Sequence, residues 1–412
     1  APSAAAPMIK EPWTGAVGGS KRSTLDPRRP QAALGELLAR EQELPLGAME
    51  LLMYAGAEWG RKDAGQRLEL ELEALAARID RDGRFQALEV PTLAPHAAAC
   101  RLFWEAFASS GAPRWLDPAR ALCGFLTREL YDPQRRAFRH SPSGSAIYAD
   151  ENAQAVLALQ RAAAFEPDLR YGQTAADVLA TLQSALYDPL LGVLHRRQEG
   201  GSLVYGLLGD TAWTILAFTE SFQLTGHKPH REFADGLARF LFQELWDRDG
   251  GGFLDRVPQK DDIGLLKTPR LARAEENAAA FEGLWRLHHL KGNFNYKRWL
   301  EWGLGRFAAL EGAVAPGIAR VQDMLARGRV DLELVGRPGE PEADALLSAV
   351  GRHYVPRRIV SFVDPDDQDY ILAHKLQTPS RSRLYGCVDL RPVASTEAPD
   401  EVGQILRHLS GR

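Results

Sequence analysis

Ile79-Asp80-Arg81-Asp82-Gly83-Arg84-Phe85 is followed along the chain by Leu130-Tyr131-Asp132-Pro133, by Leu186-Tyr187-Asp188-Pro189 and by Leu245-Trp246-Asp247-Arg248-Asp249-Gly250. One phrase, an apolar or aromatic residue and then an aspartate at a turn, recurs four times. The aspartates lie 52, 56 and 59 residues apart (80 to 132, 132 to 188, 188 to 247). A short extended piece follows each: Phe85, then Ala137-Phe138-Arg139-His140, Gly192-Val193-Leu194-His195-Arg196 and Gly252-Phe253-Leu254-Asp255-Arg256. Between the phrases, apolar residues recur at helical spacing over stretches of about 14 to 20 residues. Each repeat therefore reads as two helices and one small ribbon.

A helical hairpin cannot bury its apolar face alone, so units of this period stack on their neighbours as a solenoid or a closed ring. The pairs fall at 46–79, 92–130, 149–186, 207–246 and 273–310, and segments 315–328 and 340–352 supply a sixth. Six hairpins close a ring. An open superhelix of the tetratricopeptide kind is the alternative, but those repeats are shorter and lack the extended piece. The expected fold is mainly α: an (α/α)6 toroid of helical hairpins over 46–310, then 311–412 with closing helices and a small C-terminal α/β appendage. The strands of that appendage are read at 330–335, 358–363 and 384–388. Residues 1–45, rich in Ala, Pro, Gly and Arg without a sustained apolar period, are expected to form an extended arm or linker anchored by Trp13. A chain opening on Ala1 is expected to have lost an upstream segment, and a cytoplasmic or an exported location fits equally.

The 412 residues are 45% hydrophobic and 25% charged with a net charge of -4, ordinary values for a globular protein with a large core. Acids and bases are interspersed, so there is no electrostatic footprint for nucleic acid. No apolar run reaches the ~18 residues of a transmembrane segment. Cys100, Cys123 and Cys387 match no metal pattern and no disulfide framework, and the first two read as small buried hydrophobes. His288 and His289 are adjacent on a helix and point about 100° apart, so they do not chelate one ion together. No metal and no cofactor is expected.

The chemistry is sought where inner helices begin, because in a closed ring those ends share one mouth. The starts read Tyr148-Ala149-Asp150-Glu151-Asn152, Leu208-Gly209-Asp210-Thr211-Ala212-Trp213 and Glu275-Glu276-Asn277. Asp210, Asp150, Glu151 and Glu276 are the candidate catalytic carboxylates, since glycoside chemistry needs one carboxylic acid and one carboxylate. Tyr148, Tyr205, Trp213 and Asn277 are candidate saccharide-binding residues, with Arg139 and Arg256 on the rim. Acids at helix starts are also favoured by free N–H groups and the helix dipole in any protein, and rim arginines more often pair with nearby acids.

In these stretches the sequence resembles the bacterial YyaL-like and spermatogenesis-associated-protein-20-like proteins, over roughly residues 46–408. The best stretch runs from Leu207-Leu208-Gly209-Asp210-Thr211-Ala212-Trp213 through Phe222-Gln223-Leu224-Thr225-Gly226 to Trp246-Asp247-Arg248-Asp249-Gly250-Gly251-Gly252-Phe253. Glu276-Asn277-Ala278-Ala279-Ala280 and Val355-Pro356-Arg357-Arg358-Ile359-Val360 add to it. The resemblance implies a six-hairpin-glycosidase-like toroid, which in that family follows a thioredoxin-like domain. This chain departs from the pattern: the redox cysteine pair has no match, His96-Ala97-Ala98-Ala99-Cys100 lacks the family's glutamate, Gly209 replaces one of two paired aspartates, and one cysteine of a C-terminal pair remains, Cys387. Two function classes follow. One is binding or processing of a saccharide in the cavity, as a hydrolase or epimerase-like enzyme. The other is a non-catalytic scaffold in a larger assembly, meeting a protein partner through its N-terminal arm.

Overall fold

The computed structural model describes residues 28–197, 204–259, 262–310, 315–377 and 381–411. Six helices form an inner ring: α2 (Leu46–Glu58), α4 (Leu93–Ser110), α6 (Ala149–Phe165), α8 (Leu208–Thr225), α10 (Ala274–Lys291) and α12 (Pro316–Arg327). Each packs against the next, and α12 packs back on α2, so the ring is closed. Outside it lie α1 (Arg29–Leu38), α3 (Lys62–Ala76), α5 (Leu116–Phe125), α7 (Tyr171–Ala185), α9 (Lys228–Phe240) and α11 (Phe294–Leu310). The fold is an (α/α)6 toroid. Among the described residues no helix is long and apolar enough to cross a membrane.

The recurring aspartate makes the turn into each ribbon. Asp80 Oδ1 accepts the N–H groups of Asp82 and Arg84, Asp132 Oδ1 those of Gln134 and Arg135, Asp188 Oδ1 those of Leu190 and Leu191, and Asp247 Oδ1 that of Asp249. An aspartate that bonds the backbone two residues on stands in for a main-chain turn. The chain then doubles back, pairing Ile79 with Phe85, Tyr131 with Phe138, Tyr187 with Val193 and Trp246 with Phe253. In the first turn Gly83 has φ 86°, and a Cβ there would lie 2.1 Å from the Ala121 carbonyl oxygen, so no other residue fits.

The fourth residue of the next inner helix then clamps the ribbon. Asn152 accepts the Phe138 N–H at 2.7 Å and donates to its carbonyl at 2.9 Å; Asn277 does the same to Phe253 at 2.8 and 3.4 Å. His96 takes that place on Phe85. The two buried thiols of this region, Cys100 and Cys123, meet with their Sγ atoms 3.2 Å apart, and the Trp104 indole N–H points to Cys123.

The sixth hairpin differs from its expected composition. The outer partner of α12 is α1, which lies inside the segment read as an extended arm; the helix over 341–351 belongs elsewhere. The ten residues of α1 bury Ala33, Leu34 and Leu37, a stripe too short to register as a period, and their partner is distant in sequence. Trp13 lies outside the described residues.

Beyond the ring, β7 (Val330–Val335), α13 (Pro341–Gly351), β8 (Arg358–Val363), α14 (Gln368–Ala373), β9 (Arg383–Val388), β10 (Arg391–Thr396) and α15 (Val402–Ser410) form the α/β appendage; β1 to β6 are the two-residue ribbon strands between Tyr131 and Arg197. The sheet order is β10-β9-β7-β8, with β7 parallel to β8 and antiparallel to β9. This unit sits on the C-terminal ends of the inner helices. Arg352 Nε donates to the Ala164 carbonyl at the end of α6, Gln223 of α8 accepts the Val360 N–H, and Arg357 pairs with Glu58 at the end of α2.

If α1 completes the ring, Leu34, fully buried, is a core position. Leu34→Ala is expected to lower the unfolding free energy by about 2–5 kcal/mol in urea denaturation; a residue on a loosely laid arm would change it by less than ~0.5 kcal/mol.

Candidate functional site

The inner helices run in parallel, so their first turns surround one opening. Gly47, Ala94, Asp150, Gly209, Glu275, Glu276 and Gly317, all from first turns, line a single cavity of about 420 Å³. Its far end is closed by Tyr354, Pro356 and Arg358 of the appendage side. Trp213, on the second turn of α8, forms part of the wall.

Each mouth carboxylate is set by the helix that starts there and the ribbon before it. Asp210 is 1% exposed; His195 Nδ1 lies 3.0 and 3.1 Å from its two oxygens, and the Asp150 N–H donates to Oδ1 at 3.2 Å. Burial pushes the Asp210 carboxyl up to about 6, with the His195 hydrogen bond opposing and Asp150 adding to the rise. The hydrogen bond to Asp210 in turn raises the His195 pKa, against burial. One repeat earlier, His140 Nδ1 contacts both Glu151 oxygens at 2.9 Å, and burial raises the Glu151 pKa while that contact lowers it. Tyr148 lies between the two histidines, edge-on to His140 at 5.2 Å and stacked on His195 at 4.9 Å.

Asp150 is different in kind: it faces the cavity, and its Oδ1 is buried without a hydrogen-bond partner. Asp150, His195 and Asp210 offer three atoms within 4.8 Å of one another, a spacing that admits a metal ion. His195 Nδ1 already serves the Asp210 carboxylate, so an ion bound through that nitrogen would displace the hydrogen bond. Glu276 is held at the rim by Arg273 at 2.6 Å and packs beside Gly209, where a Cβ would lie at ordinary contact distance, 3.7 Å, from its carboxyl carbon.

The sequence candidates thus divide. Asp150, Asp210, Glu276 and Trp213 gather at the mouth, with Glu151 and Tyr148 just behind. Tyr205 pairs with Leu194 in the adjoining ribbon and does not line the cavity. Asn277 is fully buried as a ribbon clamp. Arg139 donates to the Pro142 and Glu129 carbonyls, and Arg256 pairs with Asp262 at 2.7 Å, so both guanidiniums serve local loops.

Two sets of residues escaped the sequence reading. His140 and His195 were visible only as ribbon letters, although each falls two residues after a ribbon's buried Phe138 or Val193. The second set is a chain of nine alternating charges around the cavity toward its closed end: Arg161, Glu105, Arg101, Glu50, Arg320, Glu282, Arg286, Glu220 and Arg358. It passes through all six inner helices. Its trace in the sequence is positional, since Glu105, Arg161, Glu220 and Arg286 are each the thirteenth residue of their helix.

No family model matches the chain, and no curated protein matches it in sequence. Solved structures do match in fold. The α-1,6-mannanase GH76A of Salegentibacter sp. HEL1_6 is 12% identical, with TM-score 0.56 over 73% of this chain and 100% of that one. An unsaturated glucuronyl hydrolase specific for heparin is 14% identical, with TM-score 0.54 over 73% and 95%. A family 105 glycoside hydrolase of C. acetobutylicum ATCC 824 is 11% identical, with TM-score 0.56 over 69% and 83%. These likenesses support the (α/α)6 toroid as the fold of this chain.

The Asp210–His195 pair carries a pH signature. The folded pKa of Asp210, about 6, stands above its ordinary 3.8, so the folded state binds more protons in that window and stability falls as pH rises through it. The raised His195 pKa acts in the same direction at higher pH: its contribution is present below about 6.5 and is lost as pH rises through the folded value. Asp210→Asn is expected to flatten the stability profile between about pH 4 and 6 by on the order of 2–3 kcal/mol, read from denaturation at a series of pH values. An unchanged profile would mean that Asp210 is not the buried acid.

Proposed function

We propose that the toroid cavity binds a saccharide and that Asp150, backed by Asp210 and His195, performs acid–base chemistry on it. The observation that carries this reading is the cavity-facing Asp150, whose Oδ1 is without a partner, placed within 4.8 Å of a carboxyl–imidazole pair made by buried Asp210 and half-buried His195. A cavity of about 420 Å³ falls in the range of small-molecule sites, ~300–1,000 Å³. Trp213 supplies an aromatic wall of the kind sugar faces pack on.

Asp150 is the group that meets substrate. Asp210 and His195 are positioning residues behind it: burial favours the protonated Asp210 carboxyl, and the hydrogen bond to Asp210 favours the protonated His195. In hydrolysis Asp150 would exchange a proton with the leaving glycosidic oxygen or the attacking water, and in epimerisation with the sugar carbon that inverts, while the pair behind it fixes its position and its electrostatic surroundings. The mannanase fold relative has also been solved as an inactive variant, two adjacent aspartates changed to alanine, with α-1,6-mannotetrose; here adjacent carboxylates occur at Asp150-Glu151 and Glu275-Glu276. The motifs around Asp210 and Gly250-Gly251-Gly252-Phe253 further support kinship with the toroid of the YyaL-like and spermatogenesis-associated-protein-20-like proteins.

A second reading, a non-catalytic toroid with a protein partner, is favoured by one observation. Glu151 and Asp210 are each engaged by a ribbon histidine, as they would be in a purely structural clamp. The two readings separate in a screen of neutral and acidic oligosaccharides for binding and turnover. The first expects a saccharide to bind and Asp150→Asn to cut turnover by about 10²- to 10⁴-fold while leaving binding largely intact. If no saccharide binds the wild type, the scaffold reading replaces it.

A further inference from the structure

The nine-charge chain does not close on itself. It begins at Arg161 of α6 and ends at Arg358 of β8, so it holds five guanidiniums and four carboxylates, and its two ends meet at the gap between α6 and α8. Arg161 reaches Glu105 at 4.0 Å and donates to the Gly351 carbonyl at 2.7 Å; Arg358 pairs with Glu220. Arg286 approaches the same Glu220 at 3.8 Å, and its Nη1 is buried without a hydrogen bond. Arg286 is 9% exposed and Arg358 3%, and all three arginines line the cavity floor. The surplus is felt there: burial, with Arg161 and Arg286, presses the Arg358 pKa down to about 10, while Glu220 and, less strongly, Glu105 oppose the fall. A tenth member of the chain, negative and placed in the gap, would make it neutral and satisfy the open Nη1.

We propose that the floor of the cavity, at Arg161, Arg286 and Arg358, is a binding site for one anionic group, a carboxylate or phosphate, carried by a sugar-sized ligand. This inference rests on the saccharide reading for the sugar, while the anion site itself is read from the charges alone. The ligand class is then an acidic sugar or a sugar phosphate, held with its anion on the guanidiniums and its ring in the cavity above. Arginine suits both groups, because its planar fork matches carboxylate and phosphate oxygens two at a time.

The test is titration calorimetry on the full chain with glucuronate, glucose 6-phosphate, glucose and inorganic phosphate. At least one of the two acidic sugars is expected to bind tenfold or more tightly than glucose, to weaken as sodium chloride rises, and to be displaced by inorganic phosphate. Which of the two binds more tightly identifies carboxylate or phosphate as the natural group. Arg161→Gln is expected to weaken that binding at least tenfold, and Glu220→Gln, which adds to the surplus, to strengthen it. Damage to folding does not produce strengthening, so the opposite signs keep the idea testable even if one variant is unstable. Equal binding of glucose and the acidic sugars would overturn the anion site and leave the saccharide reading standing. Binding of inorganic phosphate without any sugar would uphold the site and overturn the saccharide reading. No binding by any of the four overturns the inference.

Discussion

The belt of alternating charge across the six inner helices is the constraint on which the rest of the toroid depends. Charges taken out of water cost several kcal/mol each, and their mutual attraction offsets this only when the partners are well placed. An apolar filling would hold the helices about as well in net energy. What the belt imposes is height: each helix must present its charge at the same level as its neighbours. Glu282, bracketed by Arg320 and Arg286 and held at a pKa of about 2 by those guanidiniums against its burial, shows how tightly one member is fixed by two others. Once that level is set, the first turns of the helices arrive together at the mouth and their ends arrive together at the appendage.

Above the belt, the mouth is assembled by main-chain logic rather than by packing. The aspartate that reverses the chain, the ribbon it launches and the asparagine that grips the ribbon are one device used several times over. The site is a local elaboration of it. Where the ribbon continues to a histidine and the helix opens with an acid, the device gains a carboxyl–imidazole pair, as at His140 and Glu151 and again at His195 and Asp210. In the following repeat Asp255 stands where the histidine would be, and Glu276 turns to Arg273 instead. The chemistry of the mouth is therefore uneven around the ring, concentrated where α6 and α8 begin.

This arrangement explains what could be read from the sequence and what could not. Repeats announce themselves because the turn aspartates recur at nearly constant spacing, and the acids at Asp150, Asp210 and Glu276 are visible because they stand at helix starts. Burial is not visible in that way. Asp210 and Asp150 look alike as letters, yet one is sealed behind the ribbon and the other faces the cavity. Asn277 looks like a ligand-binding amide and is a clamp, because its partner is the backbone of Phe253, 24 residues upstream. The helix at Arg29–Leu38 escaped notice since its apolar stripe has meaning only against α12. The belt escaped because each of its charges is accounted for only by a partner on the next element round the ring, which adjacent letters do not show.

The pairing of α1 with α12 also sets a timetable. Leu38 precedes Pro316 by 278 residues, so at synthesis rates of ~5–20 residues per second α1 waits on the order of 15–60 s for its partner to emerge. During that interval α2 has only its sequence neighbours to lean on, while the hairpins from α4 onward can stack as they leave the ribosome. The seam between the two ends of the ring is thus the last part to be sealed in the cell. Until it is, the unpaired stripe of α1 and the open flank of α2 are the surfaces a chaperone would have to shield.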